Sequence, residues 1–131
     1  MRPRDTLLIP SGMDSNPDKK HLFIVMTSPT GPLEEVLLFS ISTYTGSKKQ
    51  DSTCLLEPAE HPFISRPSYV YYRGARIERL PNLMRALDSG LFVRKEQVSE
   101  ELFHRIVDGM YRSKAIRPLP IDFYEDAQRY V

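Results

Sequence analysis

At 131 residues, the chain has the size of one domain, which buries roughly two-thirds of the surface exposed by its unfolded form. Its 18 Lys and Arg stand against 17 Asp and Glu, a net charge of +1, so no global field draws it to nucleic acid or an anionic membrane, and any such binding has to come from a local patch. Its one cysteine, Cys54, excludes an intramolecular disulfide framework and a cysteine-based metal cage, which fits a reducing compartment.

The N-terminus reads Met1-Arg2-Pro3-Arg4-Asp5, and only Leu7-Leu8-Ile9 follow before Pro10. That apolar stretch is too short for a signal peptide or a membrane span, so a cytoplasmic protein with no membrane partner is expected. Thr6 to Ile9 predicts a short strand, and the polar Pro10 to Lys20 stretch a mobile loop. His21 to Thr27 is a nearly continuous apolar run and predicts a buried strand. Val36 to Thr43 begins apolar and then alternates, with Phe39 and Ile41 set against Ser40 and Ser42. It predicts a second strand with one face turning polar, paired with the first as a hairpin through Ser28 to Glu35.

Thr45 to Thr53 is another polar loop, and Cys54 to Glu57 predicts a short strand. Ser68 to Tyr72 and Gly74 to Ile77 are rich in strand formers, with a bulge or bend expected at Gly74. Five or six short strands separated by polar loops favour a small barrel. Beyond Ile77 the pattern becomes helical. Pro81 suits the first turn of a helix that carries Leu83, Met84 and Leu87 and ends at Ser89-Gly90. Ser99 can cap a second helix, with Glu100 and Glu101 at its positive end. Val98, Leu102, Ile106 and Met110 then form one apolar stripe, suited to packing on the barrel or on a partner. Arg117 to Pro120 interrupt the chain before a short terminal helix over residues 121–131. The expected class is α+β, with a β-barrel body over residues 1–80 and a helical region over residues 81–131 packed on the same domain.

Glycine-rich phosphate loops, His-Glu-x-x-His, paired cysteines and calcium loops are all absent, and His21, His61 and His104 stand in different elements. The densest chemistry lies between Glu57 and Tyr69, where Pro58, Pro62 and Pro67 stiffen an extended connection carrying His61 and Arg66 next to Ser68. An imidazole there can move a proton to or from a ribose 2′-hydroxyl, while Arg66 or Arg73 neutralises charge building on phosphorus. Equally, His61 and Phe63 can pin a crossing loop to the barrel through a hydrogen bond and an apolar contact. Tyr69, Tyr71 and Tyr72 precede Arg73, Arg76 and Arg79, an interleaving that suits single-stranded nucleic acid, although core tyrosines with rim arginines have the same pattern. Cys54, in an apolar strand, reads as a small hydrophobe.

The strand order, with Lys20 before HLFIV, Ser42 closing VLLFSIS, and SYVYYRGARIERL leading into a helix, resembles the MazF/PemK/Kid-like toxin family from Thr6 to about Leu83. That resemblance implies an SH3-like barrel acting as a metal-independent endoribonuclease on single-stranded RNA. It also implies a homodimer, an antitoxin protein as partner and no cofactor. Carried over, Lys20 takes the place of an arginine, although an ammonium lacks the forked two-point contact of a guanidinium with phosphate. Ser42 takes the place of a threonine or serine, and the acidic residue of some members has no counterpart at Tyr71 or Tyr72. The expected site has His61 and Arg66 as catalytic residues, with Lys20, Ser42, Ser68 and Arg73 contacting substrate. The alternative expectation is a non-catalytic SH3-like module whose helical tail docks a protein partner. Near-zero net charge disfavours a binder of double-stranded nucleic acid.

Overall fold

The structure, a computed structural model, describes residues 1–11 and 19–130, so most of the loop expected between Pro10 and Lys20 lies outside the described residues. Six strands and three helices are present among them. The strands are β1 (Thr6–Pro10), β2 (Lys20–Val25), β3 (Glu35–Thr43), β4 (Leu55–Leu56), β5 (Ser68–Arg79) and β6 (Val93–Lys95). The helices are α1 (Leu80–Asp88), α2 (Glu100–Arg112) and α3 (Pro118–Gln128). The strands form one curled antiparallel sheet in the order β4-β5-β3-β2-β1-β6, a half-barrel, and the class is α+β.

β2 and β3 read as nearly unbroken apolar runs because both faces of the sheet are covered along part of their length. On the inner face Leu22, Ile24, Leu37, Phe39, Val70 and Tyr72 meet the Val98, Leu102, Ile106 and Met110 stripe, all buried. The stripe therefore closes the protein's own core. Ser99 caps α2, its Oγ accepting from the Leu102 amide at 3.1 Å, and Glu100 and Glu101 stand in the first turn. Gly109 lets α2 lie close to the sheet, since a Cβ there would run into the Tyr72 hydroxyl, which donates to the Ile106 carbonyl at 2.7 Å.

The outer face is covered at one end only. There Leu83 of α1 packs with Leu7, Ile9, Phe23, Val25, Val36 and Leu38. The helix has Pro81 in its first turn and stops at Gly90, whose φ of +79° costs a glycine little. At the other end of this face no helix follows among the described residues, and Ser40, Ser42 and His21 occupy the positions that alternation assigns to it.

Three features depart from the sequence-based expectation. β5 is one continuous strand instead of two, with the disturbance at Gly74 taken up as a register shift opposite Leu38 and Ser40. β6 lies inside the stretch read as helical and pairs with β1, Thr6 against Lys95 and Leu8 against Val93. α3 begins at Pro118, because a proline is tolerated in a helix's first turn, where its missing N–H has no intrahelical role. No helix among the described residues is long and apolar enough to cross a membrane.

Candidate functional site

The end of the sheet farther from α1 carries two adjoining cavities, of about 660 Å³ and 260 Å³, that share His21 and Ser42; the larger reaches the inner-face residues Leu22 and Ile41, and the smaller lies on the outer face. The larger is walled by the start of β2 (Lys19, Lys20), the end of β3 (Ser42, Thr43) and the proline-rich connection (Phe63, Ser65, Arg66), with Ser68 at the start of β5. The smaller is lined by Ser11, Phe23, Ser40, Tyr71, Gly74 and Arg76. Register explains the gathering: Ser42 pairs with Tyr69 and Ser40 with Tyr71 on the outer side, while Thr43 pairs with Ser68 on the inner side, so both faces turn polar at this end of the sheet. His21 pairs with Ile9, and one step beyond the Leu22–Ile41 pair it faces Ser42.

Together the cavities form a groove around the end of the sheet with four cations, Lys19, Lys20, Arg66 and Arg76, and no aspartate or glutamate among its described lining residues. In a chain of net charge +1 this is the local patch that composition alone leaves open. Each cavity also carries an exposed aromatic ring, Phe63 at 42% and Tyr71 at 40% exposure. Arg76 is held in place by stacking over the Phe23 ring, 4.8 Å from its centroid. Gly74 makes room for Tyr71, since a Cβ at that position would come within 2.5 Å of the Tyr71 ring.

His61 is elsewhere. It is 1% exposed, its Nε2 lies 2.6 Å from the Glu96 carbonyl, and its Nδ1 accepts from the Phe63 amide at 3.0 Å. An acceptor role for Nδ1 places the proton on Nε2, which donates to Glu96. With both nitrogens engaged the ring has none to offer a substrate, and its contact ties the connection after β4 to the chain following β6, across the open side of the half-barrel. The same connection is held by the Glu60 ion pair with Arg105 and by the Glu60 Oε2 that accepts from the Glu57 amide at 2.8 Å. Burial raises the Glu60 carboxyl, but these hydrogen bonds outweigh it and hold the group below the usual carboxylate range. This bracing fixes the groove wall that carries Phe63, Ser65 and Arg66.

Of the residues expected at the site, Lys20, Ser42, Arg66 and Ser68 come together, whereas His61 and Arg73 do not line the groove. The register shift near Gly74 removes Arg73 from the alternation and puts Arg76 in its place. The Ser68 hydroxyl turns back to donate to the Arg66 carbonyl at 2.8 Å, fixing the turn into β5. Cys54 is buried, and burial pushes its thiol up, which suits a packing role.

His21, unassigned by the sequence pattern, borders both cavities. Its Nδ1 lies 2.7 Å from the Ser11 Oγ, which also donates to the Ile9 carbonyl at 3.0 Å. The serine has one proton; with that proton on Ile9, Nδ1 is the donor and Nε2 keeps a lone pair, with no hydrogen-bond partner among the described residues. Burial, and then the charges of Lys19 and Arg76, lower the imidazole pKa from its ordinary value of 6.5, so at neutral pH the ring is an uncharged base. Among the described residues no three His, Cys, Asp or Glu side chains gather as metal ligands. No protein-family model, curated protein or solved structure matches this chain.

Proposed function

We propose that the protein binds single-stranded RNA in this groove and cleaves it as a toxin-like endoribonuclease of the MazF/PemK kind, partnered by an antitoxin and built on an SH3-like half-barrel. The observation that carries the reading is the groove's charge. Four cations with no carboxylate among the described lining residues, in a chain of net charge +1, make a site for a polyanion.

The other linings narrow the class. Exposed Phe63 and Tyr71, one in each cavity, offer faces on which successive bases stack, a contact open to single strands and closed to a paired helix. The hydroxyls of Ser42, Thr43 and Ser65 can donate to and accept from a ribose 2′-hydroxyl. Lys20 and Arg66 hold the phosphate from opposite walls, and Ser42 orients the ribose between them. Attack of the 2′-oxygen on the adjacent phosphorus needs no external nucleophile, so the protein has only to position the strand, stabilise charge and move protons.

Incubation of the full chain, in excess, with a mixed-sequence single-stranded oligoribonucleotide in the presence of EDTA tests this. Cleavage that disappears in the Lys20→Ala/Arg66→Ala double variant is expected; RNA left intact by the wild-type protein would overturn the proposal.

A further inference from the structure

Resting on the groove as an RNA site, we infer that His21 is the group that takes the proton from the ribose 2′-hydroxyl, and that Ser11 is the positioning residue that aims its free Nε2 into the groove. Elimination leads to the same residue as geometry. Among the described residues lining the two cavities there is no carboxylate, and lysine, arginine, serine and threonine side chains do not accept a proton readily near neutral pH. His21 is the one imidazole among the described lining residues, it is shared by both cavities, and it faces Ser42, the residue assigned to orient the ribose.

Cations dominate the groups that face it and favour the uncharged base. Lys19 and Lys20 immediately precede it, Arg76 and Tyr71 face the groove from β5, Arg66 from the proline-rich connection, and Ser11 binds Nδ1 after β1. Burial and the Lys19 and Arg76 charges lower the imidazole pKa below its ordinary value.

In the step itself Nε2 accepts the 2′-hydroxyl proton, the 2′-oxygen forms a bond to phosphorus, and the bond from phosphorus to the 5′-oxygen breaks. The leaving 5′-oxygen takes its proton from water, and the imidazolium later returns its own proton to solvent. The products are a 2′,3′-cyclic phosphate and a 5′-hydroxyl, with no metal or redox partner in the balance. Phosphate stabilisation falls to the cations Lys20 and Arg66.

The test compares wild type, His21→Gln and Ser11→Ala on a labelled mixed-sequence oligoribonucleotide and its all-deoxy analogue, with cleavage, end groups and binding measured across pH. The wild-type rate is expected to rise with pH through a midpoint below the ordinary histidine value of 6.5, to leave cyclic-phosphate ends, and to leave the bound deoxy strand intact. In His21→Gln, cleavage is expected to fall by about a hundredfold or more while binding changes by less than about threefold. Ser11→Ala is expected to shift the acid limb of the pH profile to lower pH, which a purely structural serine would not do. Wild-type cleavage matched by His21→Gln would overturn the role of His21 and leave the RNA groove standing. Loss of binding together with cleavage in His21→Gln would also overturn it, making His21 a contact residue, and no wild-type cleavage at all would overturn both readings.

Discussion

The molecule's two best-placed histidines do opposite things with the same ring. His61, in the segment richest in prolines and polar groups, is buried, and both of its nitrogens are consumed by backbone partners on either side of the half-barrel's open edge. His21, in an apolar strand, borders a cationic groove with one nitrogen held and the other without a partner among the described residues. The contrast teaches that chemical availability depends on what the neighbouring strands place opposite a side chain. Local composition around His61 suggests catalysis, yet the tertiary contacts make it a clasp. The region around His21 suggests a core strand, yet the register of β2 and β3 puts His21 on the lining of a cationic groove.

Substitutions can break or sharpen that contrast. The largest effect is expected for His61→Ala, which empties a buried ring site, removes the hydrogen bonds to the Glu96 carbonyl and Phe63 amide and lowers stability by about 3 kcal/mol, read from denaturant unfolding. His21→Gln, at a half-buried position, is expected to leave the unfolding midpoint nearly unchanged. Equal losses in the two variants would erase the distinction. Gly109→Ala tests the closed inner face, where the new methyl collides with the Tyr72 hydroxyl and costs about 2 kcal/mol by the same measurement. At the groove, Lys20→Ala/Arg66→Ala is expected to leave stability alone but make the dependence of log binding constant on log salt shallower by about 1.4, as for two phosphate contacts on a single strand. Gly74→Ala displaces the Tyr71 ring and is expected to weaken RNA binding by roughly fivefold, the scale of one stacking contact.

The smallest effect is on stability against pH. Because the folded His21 pKa lies below its ordinary value, the unfolded chain takes up the proton first as pH falls. Wild-type stability therefore drops relative to His21→Gln as pH falls through the unfolded value of 6.5, and the difference levels off once the folded protein is itself protonated. Unfolding midpoints between about pH 8 and pH 5 read this difference directly.

Much of the fold is legible in the chain because local chemistry sets it. The apolar runs of β2 and β3, the Ser99 cap, Pro81 in the first turn of α1 and the fourfold stripe of α2 all announce themselves. β6 does not, because Val93-Arg94-Lys95 has no apolar run and is a strand only by its pairing with β1. The site is legible in half. Lys20, Ser42, Arg66 and Ser68 converge as the sequence suggests, since each sits at a strand end or on the rigid connection. Arg76 replaces Arg73 because the register shift opposite Leu38 and Ser40 is invisible without the partner strand. His21 was hidden for a similar reason: its relation to Ser42 depends on the β2–β3 register. One signal was available, namely the alternation of Ser40 and Ser42 at the end of β3, which marks an uncovered polar face that a neighbouring strand must share.

The central claim is that the open end of the sheet holds a single-stranded RNA, and fluorescence anisotropy of a labelled oligoribonucleotide titrated with the full chain tests it most directly. Saturable binding is expected, weakened by added salt, competed by unlabelled RNA, and abolished by Lys20→Glu with Arg66→Glu while His104→Gln leaves it unchanged. Binding that is absent in the wild-type protein, or that survives charge reversal at both walls of the groove, would contradict it.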